Sequence, residues 1–133
     1  MSGNQDLTTL LRARTPLLVI ESAEEGRVIE SFRHAIAQSL RPLFTWSITD
    51  GLRRIDMDDD GDPSVPDATM TLTSIKQRAE AGIFLLLDFQ PYLRYPMTLR
   101  LLREIVLRQA AAEHTVVLVG SKIELPDELT ALA

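Results

Sequence analysis

Residues 83–89, IFLLLDF, set five apolar side chains in unbroken succession before an aspartate, and this run constrains the fold more than any other feature. A strand with one wet face alternates apolar and polar residues. A strand without alternation is buried on both faces, which is the condition of a parallel sheet covered by helices on each side. LLVIE at 17–21 and TVVLVGS at 115–121 share this character, and LFTWSI at 43–48 adds a fourth strand with aromatic and β-branched content.

Between these runs the apolar period becomes helical. Leu7, Leu10 and Leu11 stand at helical spacing in residues 6–14, with Asp6 as the expected N-cap. Ser22 and Glu25 form a capping-box pair, and Val28, Ile29, Phe32, Ile36 and Leu40 continue one stripe until Pro42 stops it. Leu72, Ile75 and Ala79 predict a helix from near Thr71 to Gly82. Pro96 opens another, with Leu99, Leu102, Ile105 and Val106 inward, running to about Ala112. Asp50-Gly51 marks a turn, and 51–55 extends or caps the sheet edge without a firm assignment.

Strands alternating with helices predict an α/β fold, a three-layer sandwich with a mostly parallel sheet. At 133 residues the chain is one domain, 1–133. The closing ELPDELTALA begins a helix at Pro126 or Asp127, an ending equally suited to an excised domain and to a natural short tail.

Composition removes several classes of function. With no cysteine there is neither a disulfide framework nor a thiolate metal site, so a reducing, cytoplasmic setting is expected. The N-terminus has no secretory signature, and no apolar run approaches the length of a membrane span. The net charge of −5 is carried by Asp56, Asp58, Asp59, Asp60 and Asp62, and the remainder is neutral. Such a surface offers no cationic field for nucleic acid.

Asp88 follows the most buried strand at its carboxyl end, where open α/β sheets bind ligands. As a metal-positioning acid it would need a phosphate-binding loop, and no G-x-x-x-x-G-K-[ST] occurs. The first strand-to-helix junction, ESAEEGR at 21–27, instead presents Glu21, Glu24 and Glu25, which repel a phosphate. Asp88 is therefore read as a capping or loop-ordering acid, with a small enzyme using it as acid or base kept as an alternative.

The loop DMDDDGDPSVPD sets Asp56, Asp58, Asp60, Asp62 and Asp67 at calcium-loop positions one, three, five, seven and twelve, with Gly61 at six. Pro63 at position eight and the short Asp67 at the closing position depart from that pattern. A divalent-metal-responsive loop over 56–67 stands as an alternative to a solvated excursion.

His34 and His114 have no metal-ligand company, and Ser22, Ser47 and Ser121 lack nucleophile surroundings. Phe89, Tyr92, Leu93 and Tyr95 follow the central strand closely, as local packing or as a contact patch. The adjacent Arg53 and Arg54 suit acidic partner groups.

Taken together, residues 6–32, FTWSITDGLRR at 44–54, IFLLLDFQPYL at 83–93 and TVVLVGSKIELPDEL at 115–129 resemble the N-terminal region of a family of bacterial and plastid AAA-type ATPases. The resemblance implies a degenerate, P-loop-NTPase-like domain lacking the P-loop, with strand order 1-4-3-2, ahead of a genuine ATPase module. It implies ATP and Mg for that parent protein and no cofactor for this chain. The expected role is a non-catalytic accessory or protein-interaction domain, its partners the ATPase module of the same polypeptide and another protein. The expected working surface is Ser22, Asp50, Arg53, Arg54, Asp88 and Tyr92.

Overall fold

The computed structural model describes residues 3–13, 15–36, 41–56, 67–78, 80–108 and 113–130. Along the chain these form α1 (Gly3–Arg12), β1 (Leu17–Glu21), α2 (Glu25–Ala35), β2 (Leu43–Ser47), β3 (Gly51–Arg54), α3 (Ala68–Gln77), β4 (Gly82–Leu87), a 3-10 turn at Gln90–Tyr92, α4 (Pro96–Leu107), β5 (His114–Gly120) and α5 (Asp127–Thr130).

The strands make one five-stranded sheet in the order β1-β5-β4-β2-β3. β1, β5, β4 and β2 are parallel to one another, and β3 runs antiparallel to β2. The expected order 1-4-3-2 is thus corrected to 1-5-4-2-3 by a fifth strand at the edge. Its cause is local: Gly51 takes a φ of 73°, and the Asp50 amide donates to the Ser47 hydroxyl at 3.1 Å. A non-glycine residue is strained in that left-handed region, so Gly51 lets the chain reverse and pair Gly51–Arg54 back onto β2.

Alternate residues of the inner strands enter opposite cores, which explains their lack of polar alternation. Ile83 and Leu85 of β4, with Val117 and Val119 of β5, pack against Leu7 and Leu11 of α1 and Val28 and Phe32 of α2. Phe84, Leu86, Val116 and Leu118 face the other way, onto Leu72 and Ile75 of α3 and Leu102 and Ile105 of α4. The sheet therefore lies between two helical layers. All of β4 and β5 is buried, and each such aliphatic side chain contributes roughly 1.5–3 kcal/mol.

Several element boundaries differ from the sequence reading. α1 begins at Gly3, ahead of Asp6. α2 begins at Glu25 with Glu24 as its N-cap, so Ser22 does not close a capping box. The Ser22 amide still donates to the Gly120 carbonyl at 2.8 Å, which keeps its backbone in the sheet, and its hydroxyl accepts from the Glu24 amide at 3.0 Å. α3 starts at Ala68 instead of Thr71, because the Asp67 carboxylate accepts the Met70 amide at 2.8 Å and caps the helix earlier. The expected extensions to Leu40 and Ala112 lie outside the described residues.

At the amino end of the sheet Arg41 is buried and ties three elements. Its guanidinium donates to the Leu11 carbonyl at 2.9 Å, the Glu113 carbonyl at 3.1 Å and the Thr115 hydroxyl at 2.7 Å. Among the described residues no helix is long and apolar enough to cross a membrane.

Candidate interaction surface at the carboxyl edge of the sheet

Parallel pairing brings the ends of β1, β2, β4 and β5 to one edge, and with them Ser22, Asp50, Asp88 and Ser121. Tyr92 joins them from the 3-10 turn that follows Asp88. Arg53 and Arg54 do not. They lie on β3 as it runs back toward the amino side, opposite Thr45 and Phe44, and Arg54 is held by Asp56 through contacts of 2.8 and 3.1 Å.

Asp88 ends the most buried strand with a φ of 55°, a left-handed conformation that aspartate adopts more readily than most residues. Its amide donates to the Val119 carbonyl at 2.8 Å, which carries the β4–β5 ladder to its last step. The left-handed residue then turns the chain sharply into Gln90–Tyr92, leaving Asp88 exposed above the strand ends.

The three glutamates after β1 have separate fates. The Glu21 carboxylate accepts the Ile123 amide at 3.0 Å, and Glu24 pairs with Arg27 at 3.2 Å in solvent. Glu25, in the first turn of α2, lies close enough to Asp88 to feel its charge. Its carboxyl is held above the ordinary range, first by partial burial and then by the charge and hydrogen bond of Asp88. The sequence placed Glu25 at this junction, but its pairing with Asp88 joins residues far apart in the chain.

The segment after β5 is clasped over the same edge. Gln90 accepts the Glu124 amide at 2.8 Å and donates to the Glu124 carbonyl at 3.2 Å, so one side chain imitates a neighbouring strand. Ile123 and Leu125 pack on the α3–α4 core, and Leu129 is fully buried in it. Between this segment and the 3-10 turn lies a groove of about 470 Å³, lined by Gln90, Pro91, Leu93, Arg94, Leu125 and Pro126 among others. Asp88 does not line it. Neither Gln90 nor the groove was visible in the sequence, where the tail was read only as beginning a helix at Pro126 or Asp127.

The aromatic patch divides. Phe89 and Leu93 belong to the core at 1% and 2% exposure, and Trp46 meets Phe89 and Tyr92 edge-on at 5.3 and 5.8 Å. Tyr92 is partly buried, and Tyr95 is exposed at 49%. His34 is exposed. His114 is buried, with one ring nitrogen 2.8 Å from the Glu80 carbonyl and its ring against Phe84.

Of the calcium-loop pattern, Asp58, Asp60 and Asp62 lie outside the described residues. Its two ends have structural partners, Asp56 in Arg54 and the Leu43 amide, and Asp67 in the cap of α3. Among the described residues no group of three or more histidines or acids is arranged to hold a metal.

Residues 3–133 match the family described as SpoVK-like AAA ATPase, N-terminal domain. The chain belongs to this family. It is similar to the AAA domain-containing protein ycf46 of Trieres chinensis, 28% identical over 99% of this chain and 27% of that protein. It is also similar to ycf46 of Pyropia yezoensis, 24% identical over 95% of this chain and 26% of that protein. The chain thus spans about a quarter of the length of these curated relatives. No solved structure matches it. The Glu25 carboxyl sits where α2 begins after β1.

Proposed function

We propose that this domain is a non-catalytic accessory and protein-interaction unit of a longer AAA-type ATPase, a P-loop-like sheet without the phosphate-binding loop. The observation that carries the reading is Glu25. A helix start after the first parallel strand attracts phosphate through its free amides, and in this chain the first turn of α2 carries the Glu25 carboxyl in that place. A triphosphate needs backbone amides and a lysine. Residues 21–27 supply three glutamates, one glycine and no lysine, so the residues present do not fit it.

ATP and Mg accordingly belong to the ATPase module of the parent protein. The surface left for this domain's work is the carboxyl edge, with Ser22, Asp50, Asp88 and Tyr92, flanked by the groove beside Gln90. Calorimetric titration of the 133-residue chain with Mg·ATP, coupled to a phosphate-release assay, tests the reading. The expected result is no binding heat and no turnover. Micromolar affinity with turnover would overturn it.

A further inference from the structure

Charge is spread unevenly over the helical layer formed by α3 and α4. Residues 94–108 carry four arginines, Arg94, Arg100, Arg103 and Arg108, against one acid, Glu104, in a chain whose net charge is −5. Glu104 is already engaged twice, by Lys76 at 2.7 Å and by Arg100 at 2.9 Å. Among the described residues Arg94, Arg103 and Arg108 are exposed and form no ion pair, whereas Arg27, Arg33, Arg54 and Lys122 each meet a carboxylate.

The same stretch is apolar where a solvent-facing helix is ordinarily polar. Thr98, Leu101, Leu102, Ile105 and Val106 of α4 turn inward. Helical spacing then sets Arg100, Arg103 and Leu107 on the opposite face, with Met97 beside Arg100. Met97 is 63% exposed and Leu107 59%, and with Tyr95 they are three of the six large apolar side chains exposed among the described residues. One exposed apolar residue needs no explanation, but three along one helix among unpaired arginines make a patch.

The groove beside Gln90 lies at the head of this patch. Arg94, which lines it, stands two residues before α4, with its guanidinium 5.5 Å from the centre of the Tyr95 ring. Pro91, Leu93, Leu125 and Pro126 give the groove apolar walls, and its volume of about 470 Å³ admits a large side chain. From there α4 runs 12 residues, a track about 18 Å long. Guanidinium forks bind carboxylates directionally, exposed methionine and tyrosine supply adaptable apolar contact, and a concave groove calls for an inserted side chain.

We propose that the outer face of α4 and the groove at its head dock an acidic, amphipathic segment of a partner polypeptide, with carboxylates on Arg94, Arg103 and Arg108 and an apolar side chain in the groove. This rests on the reading of the domain as a protein-interaction unit, and it gives that role a face separate from Ser22, Asp50 and Asp88. A second copy of the chain is a poor occupant, since its acidic run 56–62 offers Met57 alone to fill the groove and cover Met97 and Leu107.

Selection on the 133-residue chain from a phage-displayed library of random peptides, each about 12 residues to match the length of α4, tests this. Enriched peptides should combine Asp or Glu with Leu, Phe or Met. A fluorescein-labelled synthetic copy of the most enriched peptide then gives affinities by anisotropy. Its binding should weaken several-fold as salt rises from about 50 to 300 mM, and at least about 10-fold in Arg94→Glu and in Arg103→Glu. Leu107→Ser should cost several-fold. Arg33→Glu, the same charge change on α2 in the opposite helical layer, should leave affinity within about 2-fold. All four changes fall on exposed side chains outside the core.

No enrichment, enrichment of neutral or basic peptides, or an equal loss in Arg33→Glu would overturn the proposal. So would co-sedimentation with phosphatidylserine vesicles that Arg103→Glu abolishes, since the face would then serve a membrane. Dimerisation abolished by the same variant would make the occupant a second copy and refute it too. A peptide indifferent to Arg94→Glu and Arg103→Glu but lost in Asp88→Asn would overturn this site and keep the interaction reading. Turnover of Mg·ATP would overturn the non-catalytic reading without altering these affinities, so the failures are separable.

Discussion

Gly82 opens β4 under the stacked rings of Phe44 and Phe84, whose centroids are 4.9 Å apart. A Cβ there would lie 2.8 Å from Phe84 Cζ and 2.9 Å from Cε2, and the ring cannot withdraw without losing its stack. Gly82→Ala should therefore destabilise the fold by about 1–3 kcal/mol, measured by urea unfolding. A change within experimental error would show that the ring has room to move. Asp88 is the other residue whose backbone decides local structure. Its position at the end of IFLLL was legible from the apolar run, but its left-handed turn and its pairing with Glu25 were not. Those depend on how α2 and β4 are brought together, which no local spacing encodes.

Among the elements, the segment after β5 has the least regular structure and a definite attachment. Gln90 holds the Glu124 backbone twice, Glu21 holds the Ile123 amide, and Leu129 anchors α5. Gln90→Ala should loosen residues 122–126 at a cost of roughly 1 kcal/mol, since partly exposed hydrogen bonds are worth about that. Trypsin cleavage after the exposed Lys122 reads the effect, and should proceed several-fold faster in the variant. Equal cleavage rates would show that Leu129 alone holds the segment. The four parallel strands and the four longer helices were legible from their patterns, because a buried face repeats at the period of its element, while the edge strand Gly51–Arg54 was not. The starts of α2 and α3 were not, because the β1–β5 ladder extends through Ser22 and the Asp67 cap advances α3, whereas those of α4 at Pro96 and α5 at Asp127 were.

For the molecule as a whole, titrating groups act in opposite directions. Burial first, with Arg78, Arg108 and Arg41 nearby, holds His114 below its ordinary value of 6.5, against the opposing pull of the Glu80 carbonyl. The stability carried by neutral His114 is complete above 6.5 and is lost as pH falls from there through its lower folded value. Asp56, lowered chiefly by the Arg54 hydrogen bond, and Glu104, lowered chiefly by that of Lys76, lose stability in the same sense at more acid pH. Glu25 is opposed. Its contribution is complete below 4.5 and lost as pH rises through its raised value. Thermal unfolding should thus show the melting temperature falling from about pH 7 to pH 5.5, with most of that fall absent in His114→Gln. Glu25→Gln should melt higher than the parent at neutral pH and lose that advantage near about pH 4, and an unchanged profile in either variant would refute its assignment.

Three unalternating apolar runs and LFTWSI, separated by helical stripes, were enough to determine a mostly parallel sheet between two layers of helices, since burial on both faces leaves a strand no other place. The sequence likewise placed glutamates at the first junction and an aspartate after the central strand. Only the tertiary structure decided that Gly51–Arg54 folds back as an edge, that Glu25 meets Asp88, and that Gln90 grips the terminal segment. Periodicity records which face of an element is buried, and it is blind to which distant element lies against that face.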